Sequence, residues 1–366
     1  MQTDDLTRTP PQFEFLTSGI DSLYATYAFD MSCGAIDFAE LEYQKTLARD
    51  AVDRDSKKIC LGGLDLHLLA QGSYPYRYVL ENRDLRIRLA ERMQPSCAVQ
   101  FKSVGLWSKG YQALDRTLKD WAARLKLQPV QPSTVSRLDY AFDFHLPHRD
   151  FALEHFKSRA KKDVQWRNAG KLETFSFGTG DVVVRIYDKS AEIAQASGKA
   201  WFHSIWGRAD NVWRVEFQAR RDRLVQGGIS SIDEIEPYLG DLLRELASSH
   251  TTLRSPTSDT NTSRWPLHPL WRNLQDQITR MAQTGIVETH KPGNGLFYRR
   301  QRLIASAIGY LKALAAVEAL DKGLDPPPSA SDTLAIIDAA ARYHVEPEEF
   351  RRDVERRIGD HGRGEW

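Results

Sequence analysis

Cysteine is scarce in this chain. Its 366 residues include three, Cys33, Cys60 and Cys97, widely spaced and odd in number. That fits neither a zinc-binding pattern nor a disulfide framework, and it favours a reducing cytoplasm. An excess of one charge sign is also missing. The net charge is +1, so composition does not announce a nucleic-acid binder, and any such role has to rest on local clusters. No apolar run reaches the length of a membrane span. Met1-Gln2-Thr3-Asp4-Asp5 does not open a basic-then-apolar signal segment. There is no Walker-type phosphate loop, and Gly62-Gly63 and Gly227-Gly228 read as turn glycines. Nor is there a His-hydrophobic-His triplet to hold a metal. The nearest pair, His145 and His148, is split by Leu146 and Pro147 and reads as loop. No internal repeat is apparent.

What is present is an ordinary globular composition, 41% hydrophobic and 27% charged, in a chain long enough for two domains. Residues 1–13 read as a loose polar arm. Residues 20–29 read as a strand and 38–51 as a helix. Short alternating runs at 64–69, 74–80, 85–89 and 98–101 have the signature of a β-meander. Helical spacing follows at 111–127, a strand at 137–144, and a helix near 150–161. Strands at 174–177 and 182–189 are placed to pair across Gly178-Thr179-Gly180. A short helix at 191–196, a strand at 213–219 and a helix at 232–247 complete this part. Residues 248–263 are rich in Ser, Thr, Pro, Asp and Asn and read as the linker stretch. Helical periodicity then returns at 297–320, 334–343 and 347–358, with Pro326-Pro327-Pro328 between the first two. The expected fold class is α+β: an N-terminal domain at 14–250 with antiparallel sheet flanked by helices, a linker at 251–263 and an all-α region at 264–366.

Three strands carry the chemistry. In Val182-Val183-Val184-Arg185-Ile186-Tyr187-Asp188-Lys189, alternation puts Arg185, Tyr187 and Lys189 on one face. In the strand at 137–144, Arg137, Asp139 and Asp143 share a face, opposite Leu138, Tyr140 and Phe142. In the strand at 213–220, Arg214, Glu216, Gln218 and Arg220 share one. A phenol of pKa about 10 is a poor nucleophile at neutral pH, and adjacent cations lower that value. Arg185 and Lys189 are placed to do this for Tyr187, or to hold phosphate oxygens. A surface tyrosine kept soluble by its neighbours is the plainer alternative. Asp139, Asp143 and Glu216 offer hard oxygen ligands suited to Mg²⁺ or Mn²⁺, or else salt bridges to Arg137 and Arg214. Arg137, Arg185, Arg214, Arg220 and Arg221 are candidate DNA phosphate contacts. Further basic clusters lie at Lys157, Arg159, Lys161 and Lys162, and at Arg299, Arg300 and Arg302. Trp265 and Trp271 suit packing more than base stacking.

These runs resemble a known family. Arg137-Leu138-Asp139-Tyr140-Ala141-Phe142-Asp143 follows Arg-x-Asp-x-Ala-x-Asp. Tyr187-Asp188-Lys189-Ser190-Ala191-Glu192 follows Tyr-[Asp/Glu]-Lys-x-x-Glu, and Arg214-Val215-Glu216 follows Arg-x-Glu. The ordered trio is similar to the Rep_trans family of rolling-circle replication initiators of plasmids and filamentous phages, with related conjugative relaxases. Gly19-Ile20-Asp21-Ser22-Leu23 resembles that family's opening strand. Gln100-Phe101-Lys102-Ser103-Val104-Gly105 stands where many relatives have a Ser-Gly-rich turn. The resemblance implies an HUH-endonuclease-like sheet without the HUH motif, and nicking and closing of origin DNA through a 5′-phosphotyrosine. It makes Tyr187 the nucleophile, Lys189 the site cation, and Asp139 and Glu216, then Asp143, the ligands of Mg²⁺ or Mn²⁺. Implied partners are single-stranded or melted origin DNA, a helicase, the host replication machinery and a second copy in a homodimer, with no membrane. The absence of an N-terminal helix-turn-helix favours an initiator over a relaxase. A metal-only RNase H-like nuclease and a non-catalytic DNA-binding regulator are the alternatives.

Overall fold

The structure, a computed structural model, describes residues 13–32, 36–50, 56–168, 171–283 and 292–362. The expected arm at 1–13 lies outside these except for Phe13, and Cys33 lies outside them too. The chain divides into two compact units, Met1–Lys291 and Pro292–Trp366.

The first unit opens with β1 (Glu14–Asp30) and α1 (Phe38–Asp50). The meander follows as β2 (Ser56–Leu61), β3 (Leu64–Leu69), β4 (Tyr78–Glu81), β5 (Leu85–Leu89) and β6 (Cys97–Phe101). Helices α2 (Ser103–Lys109) and α3 (Tyr111–Arg124) lead to the long β7 (Gln128–His145). Next come β8 (Phe156–Ser158), β9 (Asp163–Asn168), β10 (Lys171–Phe177) and β11 (Val182–Asp188). Helices α4 (Lys189–Glu192) and α5 (Phe202–Trp206) separate β11 from β12 (Val212–Arg220). The unit closes with α6 (Arg221–Gln226), α7 (Ile235–Glu245), β13 (Thr251–Leu253) and α8 (Pro269–Thr279). The second unit is all helical: α9 (Pro292–Lys322), α10 (Ala330–His344) and α11 (Pro347–Gly362). Ser329 opens α10 with a reciprocal capping box to Asp332. The expected α+β class with a helical C-terminal region is what the chain adopts. Among the described residues no helix is long and apolar enough to cross a membrane.

Eleven strands form one antiparallel sheet in the order β2-β3-β4-β5-β6-β1-β7-β12-β11-β10-β9. Strand alternation decides its two faces. Leu23, Ile87, Val99, Leu138, Phe142, Val184 and Val215 point to one side and are fully buried. There they join Leu118 and Trp121 of α3, Leu242 of α7 and Trp271 of α8 in one apolar cluster. Each such side chain contributes roughly 1.5–3 kcal/mol on burial. Trp271 is wholly buried, with its Nε1 donating to the Ala247 carbonyl at 2.7 Å, so it packs and does not present a stacking surface.

The first unit contains a repeat that the sequence does not display. In each half the first strand lies beside the last: β1 beside β6, and β7 beside β12. The outer strands then follow in reverse order, β5-β4-β3 in one half and β11-β10-β9 in the other. Each inner last strand runs straight into helices, β6 into α2 and β12 into α6. At the junction Leu23 pairs with Leu138, Tyr24 with Arg137 and Ser22 with Asp139. A pseudo-two-fold axis through Leu23 and Leu138 exchanges the last two pairs.

Two local expectations fail. Residues 150–161 form no helix; a 3₁₀ turn at Leu153–His155 leads into β8. The expected linker is also not one. Thr251–Leu253 is the buried strand β13, paired with β8, and α8 belongs to the first unit. Its hydroxyls look like linker composition, but the Thr251 and Ser158 side-chain hydroxyls lie 2.9 Å apart and satisfy each other.

Candidate active site

The three strands expected to share a sheet are neighbours in it, in the order β7-β12-β11. Their polar faces meet in rows. Asp143, Arg214 and Tyr187 form one row, and Ala141, Glu216 and Arg185 the next. Asp139, Gln218 and Val183 form a third, and Arg137 stands opposite Arg220. Asp139 is therefore a diagonal neighbour of Glu216, a spacing of roughly 7–8 Å between backbones that lets long side chains meet.

At the centre the Tyr187 hydroxyl donates to Glu216 Oε2 at 3.0 Å. Arg185 Nη1 donates to Glu216 Oε1 at 3.1 Å and to Gln218 Oε1 at 3.2 Å. Arg137 grips Asp139 through both oxygens, at 2.8 and 2.5 Å. Gln218 Nε2 is buried and has no hydrogen-bond partner among the described residues. Burial, and then the facing Glu216 charge, push the Asp139 carboxyl up to about 6 against the pull of Arg137 and Arg185. The two carboxylates thus crowd each other in a poorly solvated place.

The phenol departs from the expectation that neighbouring cations would lower its pKa. Burial, then the Glu216 charge, hold Tyr187 well above the ordinary phenol range, and Arg214 opposes them only in part. Arg185 is turned to Glu216 and Gln218. Lys189, the first residue of α4, is buried and bonds Glu192 Oε2 at 2.5 Å. Its Nζ lies over the Tyr187 and Phe202 rings, 5.7 and 5.5 Å from their centroids. It is a cation on the ring face and makes no hydrogen bond to the hydroxyl. Burial and the Arg214 charge lower its pKa.

Behind this row lies a sealed ion-pair cage. Arg214 and Asp143 are both 0% exposed, with Arg214 Nε and Nη2 donating to the Asp143 oxygens at 2.6 and 2.8 Å. Trp206 Nε1 donates to Asp143 Oδ2 at 2.9 Å. Arg214 Nη1 stands 3.0 Å from Asp21 Oδ1, which also accepts from Ser103 Oγ and Trp107 Nε1. The Phe202 ring lies 4.6 Å from the guanidinium carbon. Gly19 makes room for this wall, because a Cβ there would meet the Trp107 ring at 3.2 Å. Phe202, Trp206, Ile193 and Val212 form a separate small apolar cluster against Trp107 and Leu16.

Burial corrects three expectations. Asp143, expected as a third ligand, is 0% exposed and enclosed by Arg214 and Trp206, and so does not open onto the polar face. Arg214 is interior and cannot reach phosphate. Arg221 is also buried, donating to the Val135 and Ser230 carbonyls at 2.9 and 2.7 Å, and ties strand to loop. Arg220 is exposed, and Arg137 and Arg185 are half-buried at the rim. Asp188 serves as the cap of α4, accepting from the Ala191 amide at 2.9 Å. Tyr140, placed in the core by alternation, is buried there with its hydroxyl 3.2 Å from Ser18 Oγ. Sequence reasoning misses Asp21, Trp107, Phe202 and Trp206 as site residues. Of these Asp21 carries a signal, being the one acid inside β1 between its terminal residues Glu14 and Asp30.

Among the described residues no cluster of three or more acidic, histidine or cysteine side chains is placed to hold a metal. Asp139 and Glu216 are a pair. A magnesium-type ion needs no more than that, since it keeps waters and binds through one or two carboxylates plus substrate phosphate. The hard oxygen donors and their mutual repulsion fit such an ion.

No family model matches the chain, and no curated protein matches it. Among solved structures it is similar to the rolling circle replication initiator protein from Geobacillus stearothermophilus, with 19% identity and a TM-score of 0.44 over 73% of this chain and 97% of that one.

Proposed function

We propose that the chain is a metal-dependent DNA nicking-closing enzyme that starts rolling-circle replication at an origin. The observation that carries this reading is the hydrogen bond from Tyr187 to Glu216, on a face shared with Asp139 and rimmed by Arg137, Arg185 and Arg220. The motif trio points to the same residues.

Tyr187 is the nucleophile. A neutral phenol is weak, and burial makes it weaker, so its proton needs an acceptor. Glu216 Oε2 is already in that position. The Tyr187 oxygen bonds phosphorus as its proton passes to Glu216. The bond from phosphorus to the 3′ oxygen breaks, that oxygen takes a proton from water to leave as a hydroxyl, and Glu216 returns the phenol proton to solvent. The 5′ phosphate stays esterified to Tyr187, and attack by a 3′ hydroxyl reverses the step without an outside energy source. Asp139 and Glu216 would hold Mg²⁺ or Mn²⁺, which supplies neutralisation of the phosphate charge. Arg137 and Arg185 offer guanidinium forks that match phosphate oxygens. Lys189, over the ring face, fixes the tilt of Tyr187.

The test is incubation with supercoiled plasmid carrying the DNA that flanks the gene, with Mg²⁺ present. Nicked circles bearing covalently bound protein support the reading. Nicks without protein would point to a water-using nuclease, and binding without nicks to a regulator.

A further inference from the structure

The pseudo-two-fold axis through Leu23 and Leu138 places a second polar surface beside the site, on the same face of the sheet. Matching each strand by its pairing makes Tyr24 the counterpart of Asp139, because Tyr24 lies beside Gln100 as Asp139 lies beside Gln218. Arg88 lies beside Ala98 as Arg185 lies beside Glu216, and Arg86 lies beside Gln100. Alternation gives the face: Leu85, Ile87 and Leu89 are wholly buried on the core side, so Arg86 and Arg88 point away from it.

The counterpart keeps Arg88 for Arg185 and Gln100 for Gln218, adds Arg86 where the site has Val183, and lacks the reacting groups. Ala98 replaces Glu216, Tyr24 replaces Asp139, and Ala90 stands where the site has Tyr187. Unlike Arg185, Arg88 has no carboxylate partner among the described residues, and its buried Nε has no hydrogen-bond partner. Arg86 and Lys102 share Glu81, at 2.6 and 3.2 Å, which leaves the cluster net positive. Tyr24 is half-buried, with Arg137 5.3 Å from its ring centroid. Arg137 thus touches both surfaces, since it also grips Asp139.

We propose that the face formed by Tyr24, Gln100, Arg86 and Arg88 binds a segment of unpaired DNA continuous with the strand in the active site, and holds it without cutting. This rests on the nicking reading for the identity of the ligand. Arginines meet phosphates, while a half-exposed tyrosine flanked by a guanidinium offers a stacking surface that only an unpaired base can use.

The experiment is fluorescence anisotropy with a labelled mixed-sequence 30-nucleotide DNA strand and the matching duplex, over a range of NaCl. In the Arg86→Ala/Arg88→Ala variant, strand affinity is expected to fall about tenfold, with the salt slope reduced by about 0.7 for each phosphate that is no longer neutralised. Lysines at both positions should restore most of the slope. Tyr24→Ala should weaken binding of the strand and leave the duplex unchanged. Thermal unfolding by circular dichroism checks that each variant folds, and Tyr24→Ala serves if the arginine variant does not. Unchanged affinity and slope in folded variants, or equal weakening for strand and duplex in Tyr24→Ala, would overturn the proposal. The nicking reading is scored separately by the covalent adduct. An adduct with unchanged strand binding removes only the second surface, and altered binding without an adduct removes only the nicking chemistry.

Discussion

Tyr187 donates its hydroxyl proton to Glu216 across 3.0 Å, while Arg185, the cation two residues before it, is bonded to that same carboxylate. The phenol is thus tied to an acid and kept neutral. On the proposed nicking reading, activation would come from this acceptor and not from the flanking cations, which bond Glu216, Gln218 and Glu192.

The carboxylate pair should be indispensable for cleavage and dispensable for folding. Asp139→Asn and Glu216→Gln keep shape and lose charge, so each is expected to cut nicking at least a hundredfold. Loss of a charge-assisted hydrogen bond should cost each variant no more than about 3 kcal/mol. Plasmid nicking and urea unfolding of the same preparations check both. Chelator should stop the wild-type reaction and excess Mg²⁺ or Mn²⁺ restore it; full activity in chelator would remove the metal from the account.

Arg214 and Asp143 should behave in the opposite way. Removing one partner strands a buried charge, so Arg214→Ala or Asp143→Ala should destabilise the protein by about 3–5 kcal/mol. Arg220→Ala, at the exposed rim, should shift stability by less than about 0.5 kcal/mol and weaken DNA binding. Denaturant midpoints beside anisotropy titrations separate the two. A stable Arg214→Ala with a pure binding defect would contradict the sealed cage.

Much of this division is invisible to sequence. Alternation identifies the strands and their polar faces, and it puts Tyr140 in the core, because side-chain direction is local. It cannot tell Asp139 from Asp143, which share a strand and a face. Only the long-range arrival of Trp206 and Arg214 makes one a buried anchor and leaves the other beside Glu216. Cross-strand register is equally non-local, so alternation assigns Arg185 to Tyr187 when it bonds Glu216. The linker error comes from composition, since the hydroxyls of 251–252 are satisfied inside a small sheet. The repeat hides because its halves share pairings and not side chains: Tyr24 answers to Asp139, and Ala98 to Glu216.

Asp21 should make stability acid-sensitive. The charges of Arg214, Lys199 and Lys189 outweigh the cost of its burial and hold its carboxyl well below the usual carboxylate range. The unfolded chain therefore takes up this proton first. The contribution is complete above the ordinary carboxylate pKa of about 4 and is lost as pH falls below it. Asp21→Asn should be less stable than wild type at pH 7, and the gap should narrow towards pH 2. A gap independent of pH, in urea unfolding at each pH, would show that Asp21 is not ionised in the folded state.

The most direct test is to trap the adduct on a labelled origin oligonucleotide, resolve it by denaturing electrophoresis and map the modified peptide. Wild type and Tyr140→Phe should each give a covalent band that maps to Tyr187. Tyr187→Phe should keep its fold and its DNA binding and give none. A band that persists in Tyr187→Phe, or that maps to Tyr140 in the wild type, would contradict the assignment of the nucleophile.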